Sequence, residues 1–172
     1  MDKLTHFQEE LIAHCHYRMD ESLRMLRISL STLTEDEVWQ KPNASLNSVG
    51  NLVLHLCGNM RQYGIASLTE MEDNRNRDIE FSTTGGYDKT GLLKQLETTV
   101  TEVKQVISAT TVERFLQKQK VQGFEFSGIG NCIHLVEHLS YHTGQIAFWA
   151  KLLKNKQLGF YAGVDLNKKN VT

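Results

Sequence analysis

The sequence predicts an all-α protein, a four-helix bundle of up-down-down-up order. Four segments repeat apolar residues at intervals of three and four, no segment shows a convincing strand pattern, and the 172 residues contain one proline. Apolar residues at those intervals lie on one face of a helix, whereas proline interrupts helices. The length suits a single domain over residues 1–172, built around one core.

The first predicted helix occupies the N-terminal segment and ends near Thr34. Its apolar positions are Leu4, Phe7, Leu11, Cys15, Met19, Leu23, Leu26, Leu30 and Leu33. The connection that follows contains Pro42 and several Asn and Ser residues. Because Ser and Asn are preferred N-cap residues, either Asn47 or Ser48 should start the second helix, which is expected from about Val49 to Leu68.

A polar segment separates the second and third predicted helices. It is roughly twenty residues long, contains Gly85 and Gly86 and shows no sustained period, and loops of that length are uncommon inside compact domains. We therefore expect a long crossover loop between helices 2 and 3, so these helices need not be antiparallel neighbours. The third helix should begin near Asp88 or Thr90 and continue through Ile107.

The last predicted helix extends from around Gly130 to about Lys154. Before it, Val121, Phe124 and Phe126 are compatible with a short hairpin arm, but we expect that segment mainly as loop. One apolar stripe of this helix consists of Cys132, Leu135, Val136, Leu139, Ile146, Ala150 and Leu153. A second strip, formed by Tyr141, Phe148 and Leu152, indicates either a wide buried face or a dimer contact.

The strongest chemical signal is the row of His134, His138 and His142 at four-residue intervals on the fourth helix. Two histidines four residues apart lie one above the other and can share a metal ion. The helix rises about 12 Å over the whole row, so three cannot easily share it. From the centre of the apolar stripe, His142 lies about 60° away, His138 about 100° and His134 about 140°. The pair of His138 and His142 is therefore favoured, with His134 nearer the opposite side.

A third ligand must come from another helix, and four histidines are candidates. They are His55 on the second helix and His6, His14 and His16 on the first. His55 lies about 120° from the centre of its own apolar face, so periodicity supports His14 about equally well. An isolated histidine pair of this spacing is as often an ordinary structural feature as a metal site.

Composition excludes several functional classes. Nineteen Lys and Arg residues against twenty Asp and Glu give a net charge of −1, so nucleic acid is not an expected partner. No apolar run is long enough to cross a bilayer, and the first residues lack the pattern of a secretory signal. Three cysteines without a CxxC pair predict reduced, buried thiols and a cytoplasmic location.

Other polar residues have more than one interpretation. Arg75 and Arg77 could hold an anionic substrate carboxylate, although a solvated charged loop is the preferred interpretation. Ligating imidazoles donate their second nitrogen to an oxygen, and Asn59, Glu137 and Gln145 are near in sequence. Glu137 projects about 100° away from the adjacent histidine, so we interpret it as a solvated helix residue rather than a general base.

The segments NSVGNLVLHLCGNMRQY, RNRDIEF and HLVEHLSYHTGQIAFWAKLLK with its following GFY resemble the DinB-like (YfiT-like) superfamily, in particular a branch without an assigned function. The resemblance extends over almost the whole chain. Its most specific parts, the histidine of HLCGN and the EHLSYHTGQI signature, imply a metal triad at His55, His138 and His142 and favour His55 over His14. The resemblance also implies a four-helix bundle of up-down-down-up order, often dimeric, that holds nickel or zinc.

Some members of that superfamily are thiol-dependent S-transferases or isomerases that use bacillithiol, mycothiol or glutathione. Three imidazole ligands leave a coordination position open, where a thiol or water can be activated. We therefore expect a metal-dependent enzyme that uses a low-molecular-weight thiol on a small electrophile, with a homodimer as a further expectation. The alternatives are a non-catalytic metal-binding or stress-related protein, a metal-dependent hydrolase, and a helical dimer whose histidines are only structural.

Overall fold

The computed structural model describes residues 3–170 and is mainly helical, with one small antiparallel sheet. The helices are α1 (Lys3–Thr32), α2 (Glu35–Trp39), α3 (Val49–Met60), α4 (Arg77–Ser82), α5 (Lys89–Ala109), α6 (Val112–Leu116) and α7 (Gly128–Lys154). A π-helical turn, Arg61–Ala66, continues α3, and the strands are β1 (Lys118–Val121) and β2 (Phe124–Ser127). Among these described residues, no helix is both long and apolar enough to span a bilayer.

The long helices begin where side-chain caps are available. Ser48, Asp88 and Ser127 precede α3, α5 and α7, and each accepts a hydrogen bond from the backbone N–H three residues later. Such caps satisfy one of the backbone donors left free in the first turn. The first two were among the predicted alternatives. Because Ser127 caps α7, that helix starts at Gly128, two residues before the predicted Gly130.

The elements that periodicity did not find are short. The helices α2, α4 and α6 have five or six residues each, too few for an apolar period to show. The segment from Lys118 to Ser127, expected mainly as loop, is a hairpin. Its turn residues Gln122 and Gly123 have φ values of 51° and 84°, the left-handed geometry that two-residue hairpin turns require.

The core forms where the long helices meet. α1 packs against α5 and α7, and α3 packs against the same two helices. Fully buried members of this core include Met19, Leu26, Leu56, Leu92, Leu96, Ile107, Leu135 and Leu139. The three cysteines are buried and free, as predicted. Since burial of aliphatic side chains is the main favourable term in folding, these contacts hold α3 against α7.

One close approach depends on a glycine. Gly64 lies in the π-helical turn, and a Cβ atom there would lie 2.7 Å from Val103 Cγ1 of α5 and 3.1 Å from Leu135 Cδ2 of α7. Gly144 of α7 differs, because a Cβ atom at that position would meet no atom within 4 Å. The two glycines are therefore a matched pair for testing the packing.

Gly64→Ala should lower the free energy of unfolding by about 1–3 kcal/mol, because the added methyl group overpacks the junction of three helices. Gly144→Ala should raise it by about 0.5–1 kcal/mol, since alanine favours the helix and has free space. Urea unfolding followed by circular dichroism measures both changes. Equal effects of the two substitutions would show that the close approach at Gly64 is not a constraint.

Candidate metal centre

Three imidazoles from two helices converge at the interface of α3 and α7. His55 comes from α3, and His138 and His142 come from α7. One ring nitrogen of each lies within 4.8 Å of the others, and the Nε2 atoms of His55 and His138 are 2.8 Å apart. Within residues 3–170, no other set of three or more His, Cys, Asp or Glu side chains has this arrangement. The structure thus brings together the three residues that the resemblance implied.

The spacing suits ligands of one divalent ion. Two imidazole nitrogens bound at about 2.1 Å and at angles between about 90° and 109° are separated by about 3.0–3.4 Å. The 2.8 Å between the Nε2 atoms of His55 and His138 is close to that range. The ring of His142 approaches both partners, with its centroid 5.0 Å from that of His55 and 4.5 Å from that of His138. The three rings are therefore close enough to share one ion.

The surroundings favour the neutral form of the α7 imidazoles. Burial lowers the pKa of His138 to about 3, and the neighbouring imidazoles contribute to that change. Burial also lowers the pKa of His142, although its hydrogen bond to Gln145 opposes the shift. A neutral imidazole keeps a lone pair on one nitrogen, which is the form that binds metal. Both side chains are therefore prepared as ligands at neutral pH.

Oxygen acceptors determine which nitrogen of each ring is free. His55 Nδ1 lies 2.8 Å from Glu80 Oε2, and His142 Nδ1 lies 2.6 Å from Gln145 Oε1. Because those oxygens only accept hydrogen bonds, these contacts favour the hydrogen on each Nδ1 and a lone pair on each Nε2. This is the hydrogen-bonding pattern found around metal-bound histidines. Arg75 Nη2 also lies 3.1 Å from His55 Nδ1, but it donates to Glu80 Oε2 over the shorter distance of 2.9 Å. Gln145 was a candidate for this role, whereas Glu80 was missed and Glu137 is exposed.

A buried ion pair holds Glu80 in place. Arg75 Nε and Nη2 donate to the two Glu80 oxygens over 2.7 and 2.9 Å, and the two side chains are 4% and 9% exposed. Burial raises the pKa of Glu80, but hydrogen bonds from Arg75 and His55 outweigh it, and the pKa lies below its ordinary value. The preferred interpretation of Arg75 as a solvated loop residue is therefore wrong. Its partner is a carboxylate of the same chain.

Gly58 makes room for this pair. A Cβ atom at that position would overlap Glu80 Oε1 and would lie 3.0 Å from Arg75 Nε. α4 can therefore approach α3 closely enough for Glu80 to reach His55. Arg77, the other arginine of the segment, lies 4.8 Å from the ring centroid of Phe81. The sequence around Glu80 has no apolar period that would distinguish this buried residue from the exposed acidic residues near it.

The structure corrects the position predicted for His134. Its ring centroid is 4.0 Å from that of Tyr63, and its Nε2 is 3.4 Å from Asn59 Nδ2, so it faces α3 rather than the opposite side. The error arose because angles were measured from the apolar stripe, which packs toward α1. α7 also has a second buried face, toward α3, and the histidine row lies on it. His134 stacks 5.5 Å from His138 but lies outside the converging triad.

The other histidines that were candidate ligands do not belong to the converging triad. His14 is exposed beside Glu10, and His16 contacts the Lys104 carbonyl on α5. His6 is also exposed. Burial raises the pKa of Cys57 to about 12, so this thiol remains protonated and is a poor metal ligand.

Comparisons with known proteins agree with this fold. Residues 6–162 match the family model described as a protein of unknown function (DUF1572). A DinB-like protein from Bacillus subtilis is similar in structure, with a TM-score of 0.65 and 16% identity over 88% of this chain and 96% of that chain. A conserved protein from Enterococcus faecalis gives a TM-score of 0.63 and 17% identity over 91% and 100%. No functionally curated protein matches significantly.

Glu80→Gln should weaken zinc binding by about 10–100-fold, because the carboxylate that orients His55 and is paired with Arg75 loses its charge. Competition with a chromophoric chelator measures the affinity. Glu97→Gln is the matched control, since Glu97 forms a partly exposed ion pair with Arg27 between α1 and α5, whereas the triad belongs to α3 and α7. Unchanged zinc affinity in the Glu80 variant would contradict an orienting role.

Proposed function

The chain belongs to the DUF1572 family of proteins of unknown function and has a DinB-like fold, and from that premise we propose that it is a metal-dependent thiol S-transferase. His55, His138 and His142 would hold a divalent ion, nickel or zinc. The observation that supports this most directly is the convergence of three imidazoles, two of which have Nδ1 bonded to an oxygen acceptor. A structural histidine cluster does not require that arrangement.

The proposed reaction joins a low-molecular-weight thiol to a small electrophile. A divalent ion with three imidazole ligands has an open position at which it lowers the pKa of a bound thiol or water. The thiol loses its proton to solvent, its sulfur bonds to the electrophilic carbon, and the leaving group departs with the bonding electron pair. Glu80 and Gln145 keep the rings of His55 and His142 oriented, while the partly exposed His138 leaves one side of the site accessible.

The proposal includes the helix order predicted for this class, a four-helix bundle of up-down-down-up direction. Contacts along the long helices support it. Between α1 and α5, Gln8 bonds to Thr110 and Arg27 bonds to Glu97. Between α3 and α7, His55 contacts His138 and Asn59 contacts His134. Arg24, near the end of α1, bonds to Phe160 just beyond the end of α7. The first two pairs of helices are therefore antiparallel, whereas α1 and α7 run in the same direction.

Replacing His138 or His142 by Ala should remove most bound metal, because two nitrogen ligands bind a divalent ion far more weakly than three. His134→Ala is the control on the same helix face, since His134 lies outside the triad. Elemental analysis of protein purified without a metal-affinity tag measures the content. Equal loss from all three variants would contradict the triad.

Cobalt-substituted protein should change its visible spectrum when a small thiol is added. Thiolate-to-cobalt charge transfer requires sulfur as a direct ligand, so the signal reports ligation and not general association. Glutathione, cysteine and coenzyme A at millimolar concentration are suitable thiols. His55→Ala should diminish the change, whereas His134→Ala should preserve it. If no thiol alters the spectrum of the intact site, a non-catalytic metal-binding protein or a water-activating hydrolase replaces the transferase.

A further inference from the structure

A cavity of about 680 Å³ adjoins the histidine cluster, between α7 and the segment that leads into α3. Leu46, Leu52, Tyr141, Phe148 and Trp149 contribute apolar walls. His142 and Gln145 line the same cavity, so one member of the triad and its hydrogen-bond partner form part of its wall. A molecule bound there would contact His142 and Gln145 at the edge of the histidine cluster.

The lining contains no charged side chain among the described residues. A second cavity, of about 670 Å³, is different, because its lining includes Arg61, Glu72, Asp73, Arg75 and Glu102. An ionised ligand group that enters a wall without a countercharge loses its hydration without compensation. The cavity beside His142 therefore selects against anionic and cationic ligands, whereas the polar ends of Ser45, Asn47 and Gln145 can accommodate a neutral polar group.

Large aromatic side chains at this cavity lack protein partners on one side. Tyr141 is 62% exposed and Phe148 is 67% exposed, and both belong to the strip for which the sequence left open a dimer contact. Aromatic faces stack favourably on flat, apolar rings. The volume is within the range of about 300–1,000 Å³ that is typical of small-molecule sites.

We propose that this cavity is the binding site for the electrophilic substrate and that the substrate class is uncharged small molecules with an apolar aromatic ring. The inference rests on the proposed function, because it assigns the second substrate of the same site. The polar or reactive end of the molecule points toward His142 and Gln145, and its ring lies between Tyr141, Phe148 and Trp149. Concavity and the presence of His142 in the wall favour a small molecule over a second copy of this chain.

The test compares two unreactive ligands with the same ring, 1,3-dinitrobenzene and 3,5-dinitrobenzoate, which differ by one carboxylate. Equilibrium dialysis against the intact protein should show that the neutral compound binds at least about tenfold more tightly, owing to the desolvation of the carboxylate. In a Trp39→Phe variant, quenching by the neutral compound reports contact with Trp149, the only remaining tryptophan.

Gly144→Leu supplies the decisive variant, because Gly144 lines the cavity and a Cβ atom there would meet no atom within 4 Å. It should fold and should weaken dinitrobenzene binding at least about tenfold by filling the site. Gly85→Leu is the control, since Gly85 also has free space but lies in a different cavity, beside Trp39. Its binding should equal that of the parent protein.

Tighter binding of the carboxylate, or equal binding by the two glycine variants, would overturn the proposal. It would also be overturned if sedimentation showed a dimer that Gly144→Leu dissociates, with no dinitrobenzene bound, because a second copy would then cover the face. The two ligands are compared on metal-free protein, because a bound zinc ion would itself attract the carboxylate of 3,5-dinitrobenzoate. If the protein prefers the neutral ligand but the cobalt spectrum shows no thiol ligation, the transferase proposal fails while the cavity assignment stands.

Discussion

The buried ion pair between Arg75 and Glu80 is the interaction on which the site depends. Removing one partner of such a pair leaves an uncompensated buried charge and costs about 3–5 kcal/mol. Because Glu80 also contacts His55 of α3 and Arg75 donates to Gln62 of the π-helical turn, the pair joins the α4 segment to both elements. Glu80 in turn fixes the ring of His55. This arrangement exists only because Gly58 presents no side chain at the point where the carboxylate passes α3.

α7 supplies the other half of the site because it has two buried faces with different tasks. Its aliphatic face, with Leu135, Leu139 and Ile146, lies in the core. Its histidine row faces α3, where the antiparallel path brings His138 to the level of His55. The packing of the aliphatic face thus keeps the imidazoles of α7 in register with His55.

The long helices and two of their caps could be predicted from sequence because apolar period and cap chemistry are local properties. The triad required the family resemblance, since His55 and His14 were equivalent by periodicity alone. Glu80 could not be predicted, because its role arises from a contact between α3 and a six-residue helix that has no readable period. The predicted position of His134 was wrong for a related reason. The apolar stripe of α7 marks one buried face of that helix, but it does not reveal the second, more polar face that packs against α3.

The charges around the cluster explain how one site could serve two different ligands. Arg75 neutralises Glu80 on the α4 side, and the cavity on the other side is lined by an uncharged amide, Gln145, and apolar rings. The protein therefore adds almost no net charge to the three imidazoles. A divalent ion bound there would keep its full attraction for an anionic thiolate. The described lining of the neighbouring cavity has no charged side chain, and the cavity would bind neutral molecules. The thiolate and the electrophile would therefore occupy different positions and would not displace each other.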